Sequence, residues 1–230
     1  MIQSSFCCFK GLGRSAEQKI WELGCLSWDR IGLLPEKTLS SRKMDLLSLE
    51  ITQAKAALKA GTAEYFINRF KPGDQIRVLK DFQSQSAVID IETTGLTSKD
   101  VITTIAVMKG RRIHVFINGM DLPDFLSVLK DVKLVITFNG ARFDLPFLRR
   151  HFSIDLNIPL LDMMPILRNL GFTGGQKKCE HRFHLTRNNS QGISGMLAVN
   201  LWHRWKEKND ITALKQLALY NAEDVFMLEK

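Results

Sequence analysis

The chain has 230 residues, 45% of them hydrophobic and 24% charged, enough apolar material for one large domain or for a domain with a small appendage. No run of about 18 apolar residues occurs, which excludes a membrane-spanning helix, and the four cysteines, at positions 7, 8, 25 and 179, make neither a disulfide framework nor a CxxC pair. Thirty-two Lys and Arg against 24 Asp and Glu leave a net charge of +8, which suits a polyanionic partner, with nucleic acid first and an anionic membrane second.

The opening MIQSSFCCFKGLGR turns to glycine and charge before any apolar signal core develops, so a cytoplasmic location with reduced thiols is expected. Residues 1–36 are compact and punctuated by glycine. A helix is predicted after Ser40 or Ser41, carrying Met44, Leu47, Ile51, Ala54 and Leu58. A second, shorter one follows Gly61 with Tyr65, Phe66 and Phe70, and KPGDQ is expected to break it. From about residue 86 the pattern becomes β-rich. AVIDIETTGL reads as a first strand, and VITTIAVMKG with RRIHVFIN as a hairpin closed by a Lys-Gly-Arg turn. DLPDFLSVLKD is an amphipathic helix, KLVITFNG a fourth strand, FDLPFLRRHF the start of a helix and IPLLDM a fifth strand. The rest is helical, broken near GFTGG and RNNSQG. The expected fold is therefore α/β, a mixed central sheet whose first three strands are antiparallel, flanked by helices. The expected division is a helical extension over 1–80 and a main domain over 81–230.

Asp90 and Glu92 lie two apart in the first strand, so both carboxylates leave the same face while Val88, Ile89 and Ile91 supply burial. Two adjacent anions at the end of an apolar strand cost several kcal/mol to desolvate unless a cation lies between them. A hard divalent ion, Mg²⁺ or Mn²⁺, suits such oxygen donors. An isolated pair has a second reading, in which the sheet simply ends and both groups are solvated. Asp144 falls at a helix start just beyond a strand, where the macrodipole alone favours an acid and where α/β sheets carry their ligands. In ALYNAEDVFML, Tyr220 and Asp224 are four apart on one helix face. Glu223 projects about 100° away and is expected in solvent.

DIETTGL, NGARFDLPFL and YNAEDV together resemble the three motifs of the DEDD exonuclease superfamily, whose members have a ribonuclease-H-like fold. Tyrosine four residues before the last acid resembles the DEDDy subclass; the histidine subclass would have His where Leu219 stands. GGQKKCEHRF, ISGMLAVNLWHRW and LALYNAEDV resemble the YprB-type ribonuclease-H-like domain, over roughly residues 85–229. The resemblance implies a metal-dependent 3′→5′ exonuclease acting on DNA or RNA, releasing nucleoside monophosphates with two divalent metal ions, Mg²⁺ or Mn²⁺. Asp90 would bridge both ions, Glu92 and Asp224 complete one site, Asp144 hold the other largely through water, and Tyr220 orient the attacking water. The turn of Thr93, Thr94 and Gly95 would meet the 3′ terminus, with Leu96 wedged against a base and Asn139 and Phe143 touching the terminal nucleotide. Phe143 is equally suited to the core. Lys177, Lys178, Arg182, Arg187, Asn188 and Asn189 would track backbone phosphates or form a solvated loop.

FKGLGRSAEQKIWELG, within about residues 6–30, resembles a helix-hairpin-helix turn, whose glycines let backbone N–H groups approach a phosphate. Glu17 stands where that motif has a small Ala, so a structural cap packing Trp21, Leu23 and Trp28 on the main domain is the competing expectation. Cys179, His181 and His184 invite a zinc reading but lack a fourth ligand nearby, and His203 reads as a residue of a packed helix. Two other functions stay open at this stage: a catalytically inactive nucleic-acid-binding or scaffold protein, and a structure-selective endonuclease on the same fold.

Overall fold

The computed structural model describes residues 2–188 and 194–230, in two compact units, Met1–Ser84 and Gln85–Lys230. Asn189 lies outside the described residues.

The first unit is helical: α1 (Arg14–Glu22), α2 (Ser41–Lys59), α3 (Ala63–Ile67) and α4 (Leu79–Phe82), joined by short 3-10 turns. α3 ends before KPGDQ, as expected, and Pro72–Val78 then forms a separate 3-10 helix with the proline in its first turn, where its missing N–H costs nothing. The core is aromatic. Trp28 is fully buried, its ring 5.5 Å from Phe9 and stacked 6.3 Å from Phe66, and its indole N–H donates to the Ser5 carbonyl at 2.8 Å. Trp28 is thus a core residue of its own unit, whereas Leu23, expected to pack, is 48% exposed.

The anomalous Glu17 is also explained within this unit. It is 1% exposed, accepts N–H bonds from Phe6 (2.6 Å) and Cys7 (3.1 Å), and pairs with the Arg77 guanidinium at 2.8 Å. Arg77 also pairs with Asp74 (3.0 Å), which takes Arg14 at 3.0 Å. The acid at the end of the glycine turn is a structural tie between segments.

Among the described residues the second unit holds a five-stranded sheet of β1 (Ser86–Thr93), β2 (Ile102–Lys109), β3 (Arg112–Ile117), β4 (Leu134–Thr137) and β5 (Leu160–Asp162), in the order β3-β2-β1-β4-β5. β1–β2 and β2–β3 pair antiparallel, and β1–β4 and β4–β5 pair parallel. The mixed sheet, its antiparallel first three strands and the hairpin agree with the sequence expectation. Among the described residues six α-helices accompany the sheet: α5 (Phe125–Val128), α6 (Asp144–Phe152), α7 (Met163–Asn169), α8 (Gln176–Arg182), α9 (Gly195–Lys208) and α10 (Ile211–Glu229).

Alternation along β1 decides what each face does. Ala87, Ile89 and Ile91 join Phe125, Phe147 and Leu148 in the core beneath α5 and α6. Asp90 faces α10 instead, where Asn221 donates to its carboxylate at 2.7 Å. α10 is anchored by Ala213, Leu214, Leu217 and Tyr220 against Ala198, Leu201 and Trp202 of α9. Helices thus cover both faces, and the sheet's carboxylate-bearing strand ends between them.

Candidate active site

β1 delivers Asp90 and Glu92 to one side of the sheet, and α10 delivers Asp224 to the same place. An oxygen from each of these three carboxylates lies within 4.8 Å of the other two. They line a cleft of about 1150 Å³ that is also lined by Thr93, Thr94, Gly95, Leu96, Asn139, Phe143, Asp144 and Tyr220. Asp90, Glu92, Asp144, Tyr220 and Asp224, with Thr93, Thr94, Gly95, Leu96, Asn139 and Phe143, therefore share the wall of one cleft, as do Lys177, Lys178 and Arg187, whereas Arg182 and Asn188 are not on it and Asp144 is outside the group of three. Asp144 is 3% exposed, and its carboxylate accepts the Ile91 N–H at 3.2 Å.

The cleft walls are built by local ties. A register shift between Glu92 and Thr93 precedes the last pair of the β1–β2 ladder, Thr93 with Ile102, and the following turn is pinned by Asp100, which accepts from Thr94 Oγ1 (3.0 Å), Thr97 N (2.8 Å) and Thr97 Oγ1 (2.6 Å). Gly95 packs so closely on that carboxylate that a Cβ would stand 2.7 Å from its oxygens. Leu96, at the tip, is 84% exposed. On the opposite wall Asp162 accepts from the backbone N–H of Asn139 (2.7 Å) and Ala141 (3.2 Å), holding Asn139 in a left-handed conformation, φ 66°. Phe143 both lines the cleft and packs on Phe147, with ring centroids 5.0 Å apart.

The electrostatics are lopsided. Burial, then the like charges of Asp224, Asp144 and Glu92, hold the Asp90 carboxyl well above the usual carboxylate range, with the Asn221 amide opposing. Glu92 is raised in the same way, by burial and then Asp224. Burial pushes Asp144 up to about 7 and also raises Asp224, against the opposing Arg187 guanidinium. Tyr220 is raised by burial and the neighbouring acids, so its phenol is neutral at physiological pH. Lys177 is lowered by burial, and its ammonium donates to the Tyr220 hydroxyl at 3.1 Å. Converging acids under such mutual repulsion fit a hard divalent cation, which oxygen donors of this kind prefer. Among the described residues no other group of three His, Cys, Asp or Glu side chains converges in this way, so Cys179, His181 and His184 do not make the zinc site considered for them.

Three expectations are corrected. Arg187 does not run along the surface: it is 8% exposed and clamps Glu180, Nε to Oε2 at 2.7 Å and Nη2 to Oε1 at 2.6 Å, while Nη2 reaches Asp224 Oδ1 at 2.6 Å. Arg182 turns away, donating to the Gly171 carbonyl at 2.9 Å with its guanidinium over the Phe172 ring. Glu223 is not solvated, because the segment after α8 covers that side of α10 and its carboxylate accepts the Asn188 N–H at 2.8 Å. Asn221, Glu180 and Gln176 went unread in the sequence. Asn221 had a signal, three residues before Asp224 and so on a neighbouring helical position. The Glu180–Arg187 pair had none.

A family model described as RNase_H superfamily matches residues 87–230. No curated protein matches the sequence. Among solved structures, the family B DNA polymerase of Pyrobaculum calidifontis is 16% identical with a TM-score of 0.48; the match covers 62% of this chain and 24% of the polymerase, about a quarter of its length. Brucella melitensis NrnC is 19% identical with a TM-score of 0.39, over 66% of this chain and 87% of that one. The Aedes aegypti Nibbler EXO domain is 12% identical with a TM-score of 0.36, over 67% and 81%. The family match spans the five-stranded sheet and the acidic cleft together, and with well over half its length inside that match the chain belongs to the RNase_H superfamily.

Proposed function

We propose that the protein is a metal-dependent 3′→5′ exonuclease of the DEDDy type, hydrolysing phosphodiester bonds of DNA or RNA and releasing nucleoside monophosphates. The observation that carries this reading is the convergence of Asp90, Glu92 and Asp224, from a strand and a helix more than a hundred residues apart, in one open cleft. The direction of attack and the DEDDy and YprB assignments rest on the motifs DIETTGL, NGARFDLPFL and YNAEDV.

Asp90, Glu92 and Asp224 would hold one Mg²⁺ or Mn²⁺, and Asp90 with Asp144 a second. Bound there, the ions supply charge relief for the scissile phosphate and its leaving oxygen and lower the pKa of the attacking water. The protein's own groups position the reactants. Tyr220, neutral and beside the acids, orients the water through its hydroxyl rather than removing a proton. Thr93, Thr94 and Gly95 meet the 3′ terminus, the exposed Leu96 wedges against the terminal base, and Asn139 and Phe143 flank the last nucleotide. The net charge of +8 favours approach of a polyanion. The catalytic unit is Gln85–Lys230, and residues 1–80 are a helical extension to it.

The test is a 5′-labelled single strand, DNA and RNA in parallel, incubated with Mn²⁺ or Mg²⁺ and either wild type or Asp90→Ala. A ladder shortening from the 3′ end, metal-dependent and lost in the variant, supports the reading and decides the sugar. Cleavage of a 3′-blocked or circular strand would make the enzyme an endonuclease. Equal binding by both proteins without degradation would leave a nucleic-acid-binding module.

A further inference from the structure

The exonuclease reading gives no role to a cluster of buried polar groups on the rim of the same cleft. α8 carries Gln176 and Glu180 on one face, four residues apart, and Arg187 follows five residues after the helix ends. Glu180 and Arg187 are nearly fully buried, with side chains 7% and 8% exposed. Their contact is a two-point fork: guanidinium Nε to one carboxylate oxygen at 2.7 Å, Nη2 to the other at 2.6 Å. Such a pair fixes the plane of the guanidinium as well as its place. The same Nη2 lies 2.6 Å from Asp224 Oδ1. Gln176 completes the brace, its amide donating to Glu180 Oε1 at 2.9 Å and to the backbone carbonyl of Asp224 at 2.8 Å. Asp224 is therefore held at both its main chain and its carboxylate by one short segment.

We propose that Glu180 and Arg187 form a fixed brace that sets the orientation of Asp224, making Arg187 a positioning residue for the divalent-cation site. This proposal rests on the exonuclease reading for the identity of that site. Two features favour a brace over a counter-charge. A counter-charge for Asp224 alone would need no second carboxylate, yet Glu180 takes both arms of the fork and leaves Asp224 only a shared one. In addition, Nη2 meets Asp224 at Oδ1, so a guanidinium whose plane is fixed by Glu180 fixes the place of that oxygen. Partners of this kind, one step removed from a metal, typically alter metal affinity by about 10–100-fold when lost.

The test measures Mn²⁺ binding to the full chain by titration calorimetry and by the disappearance of the free-ion electron paramagnetic resonance signal, without substrate. Arg187→Ala, Arg187→Lys and Glu180→Gln are compared with wild type, each with its melting temperature and circular dichroism spectrum. The brace predicts that Arg187→Ala weakens Mn²⁺ binding by about tenfold or more. Arg187→Lys should not restore it, since one ammonium cannot fork across Glu180 while reaching Asp224. Glu180→Gln keeps both the cation and Asp224, so a folded Glu180→Gln protein with several-fold weaker binding separates positioning from misfolding. Wild-type or tighter Mn²⁺ binding by folded Arg187→Ala would overturn the proposal, because a mere counter-charge competes with the ion. Full rescue by Arg187→Lys would overturn it too. Failure of wild type itself to bind Mn²⁺ or to degrade any strand would instead sink the exonuclease reading.

Discussion

Two buried charge clusters in this molecule follow opposite rules. In the first unit Glu17 and Asp74 face Arg77 and Arg14, acid matched to base, and Glu17 also takes two backbone N–H groups. In the second unit Asp90, Glu92, Asp144, Asp224 and Glu180 line one cleft with only Lys177, Lys178 and Arg187 as lysine or arginine partners among the described residues of its wall, and burial raises the first four acids, with repulsion from neighbouring carboxylates added. A matched cluster ties segments together. An unmatched one weakens the fold locally and is worth keeping only for something it can bind.

The contrast can be broken first by changing one acid in each cluster. Asp90→Asn should lower nuclease activity by at least about 10³-fold, since several kcal/mol of charge stabilisation are lost, while raising the melting temperature of the metal-free protein by a few degrees. A melting scan and the labelled-strand assay on the same preparation check both signs. Glu17→Ala should do the reverse to stability, costing about 3–5 kcal/mol in urea unfolding because Arg77 and two N–H groups lose their buried partner. A metal-free Asp90→Asn protein that melts below wild type would erase the distinction between the clusters.

Acidity sharpens it next. The cleft acids have folded-state pKa values above their unfolded values near 4, with Asp144 at about 7. The native state then binds more protons than the unfolded one across that window, so stability of the metal-free protein is greatest near pH 4–5 and falls as pH rises through about 7. A divalent ion at a hundred times its Kd should return about 2.7 kcal/mol at pH 8. Melting curves with chelator and with Mn²⁺, from pH 5 to 8, measure both effects.

Smaller effects belong to groups outside the two clusters. Gly95→Ala puts a Cβ 2.7 Å from the Asp100 carboxylate, which three hydrogen bonds hold in place, so the turn carrying Thr94 and Leu96 must shift. The expected result is about tenfold weaker KM for the labelled strand with a change in melting temperature of no more than a few degrees. Lys55→Ala, which breaks the exposed pair with Asp29, should move the melting temperature by about a degree or less.

Much of this was legible along the chain because it depends on local periodicity. Two-residue alternation put Asp90 and Glu92 on one face of β1, and four-residue spacing put Tyr220 and Asp224 on one face of α10. The hairpin of β2 and β3 followed from apolar runs either side of Lys-Gly-Arg. Arg187 and Glu223 show where such reasoning stops. Arg187 reads as one more cation in a polar stretch, and Glu223 projects about 100° away from the Tyr220–Asp224 face of α10 and reads as solvated. Both are buried because the segment after α8 runs across α10, a packing that no spacing within either segment encodes.

The sequence by itself determined the strands and the longer helices and singled out the candidate acids, since each is set by neighbours within a few residues. Only the tertiary structure decided that α8 braces α10, that Glu180 takes both arms of Arg187, and that Glu17 and Arg77 close a separate ion network. Those contacts join residues brought together by burial of distant apolar surfaces, and their partners are chosen by what that burial leaves unpaired.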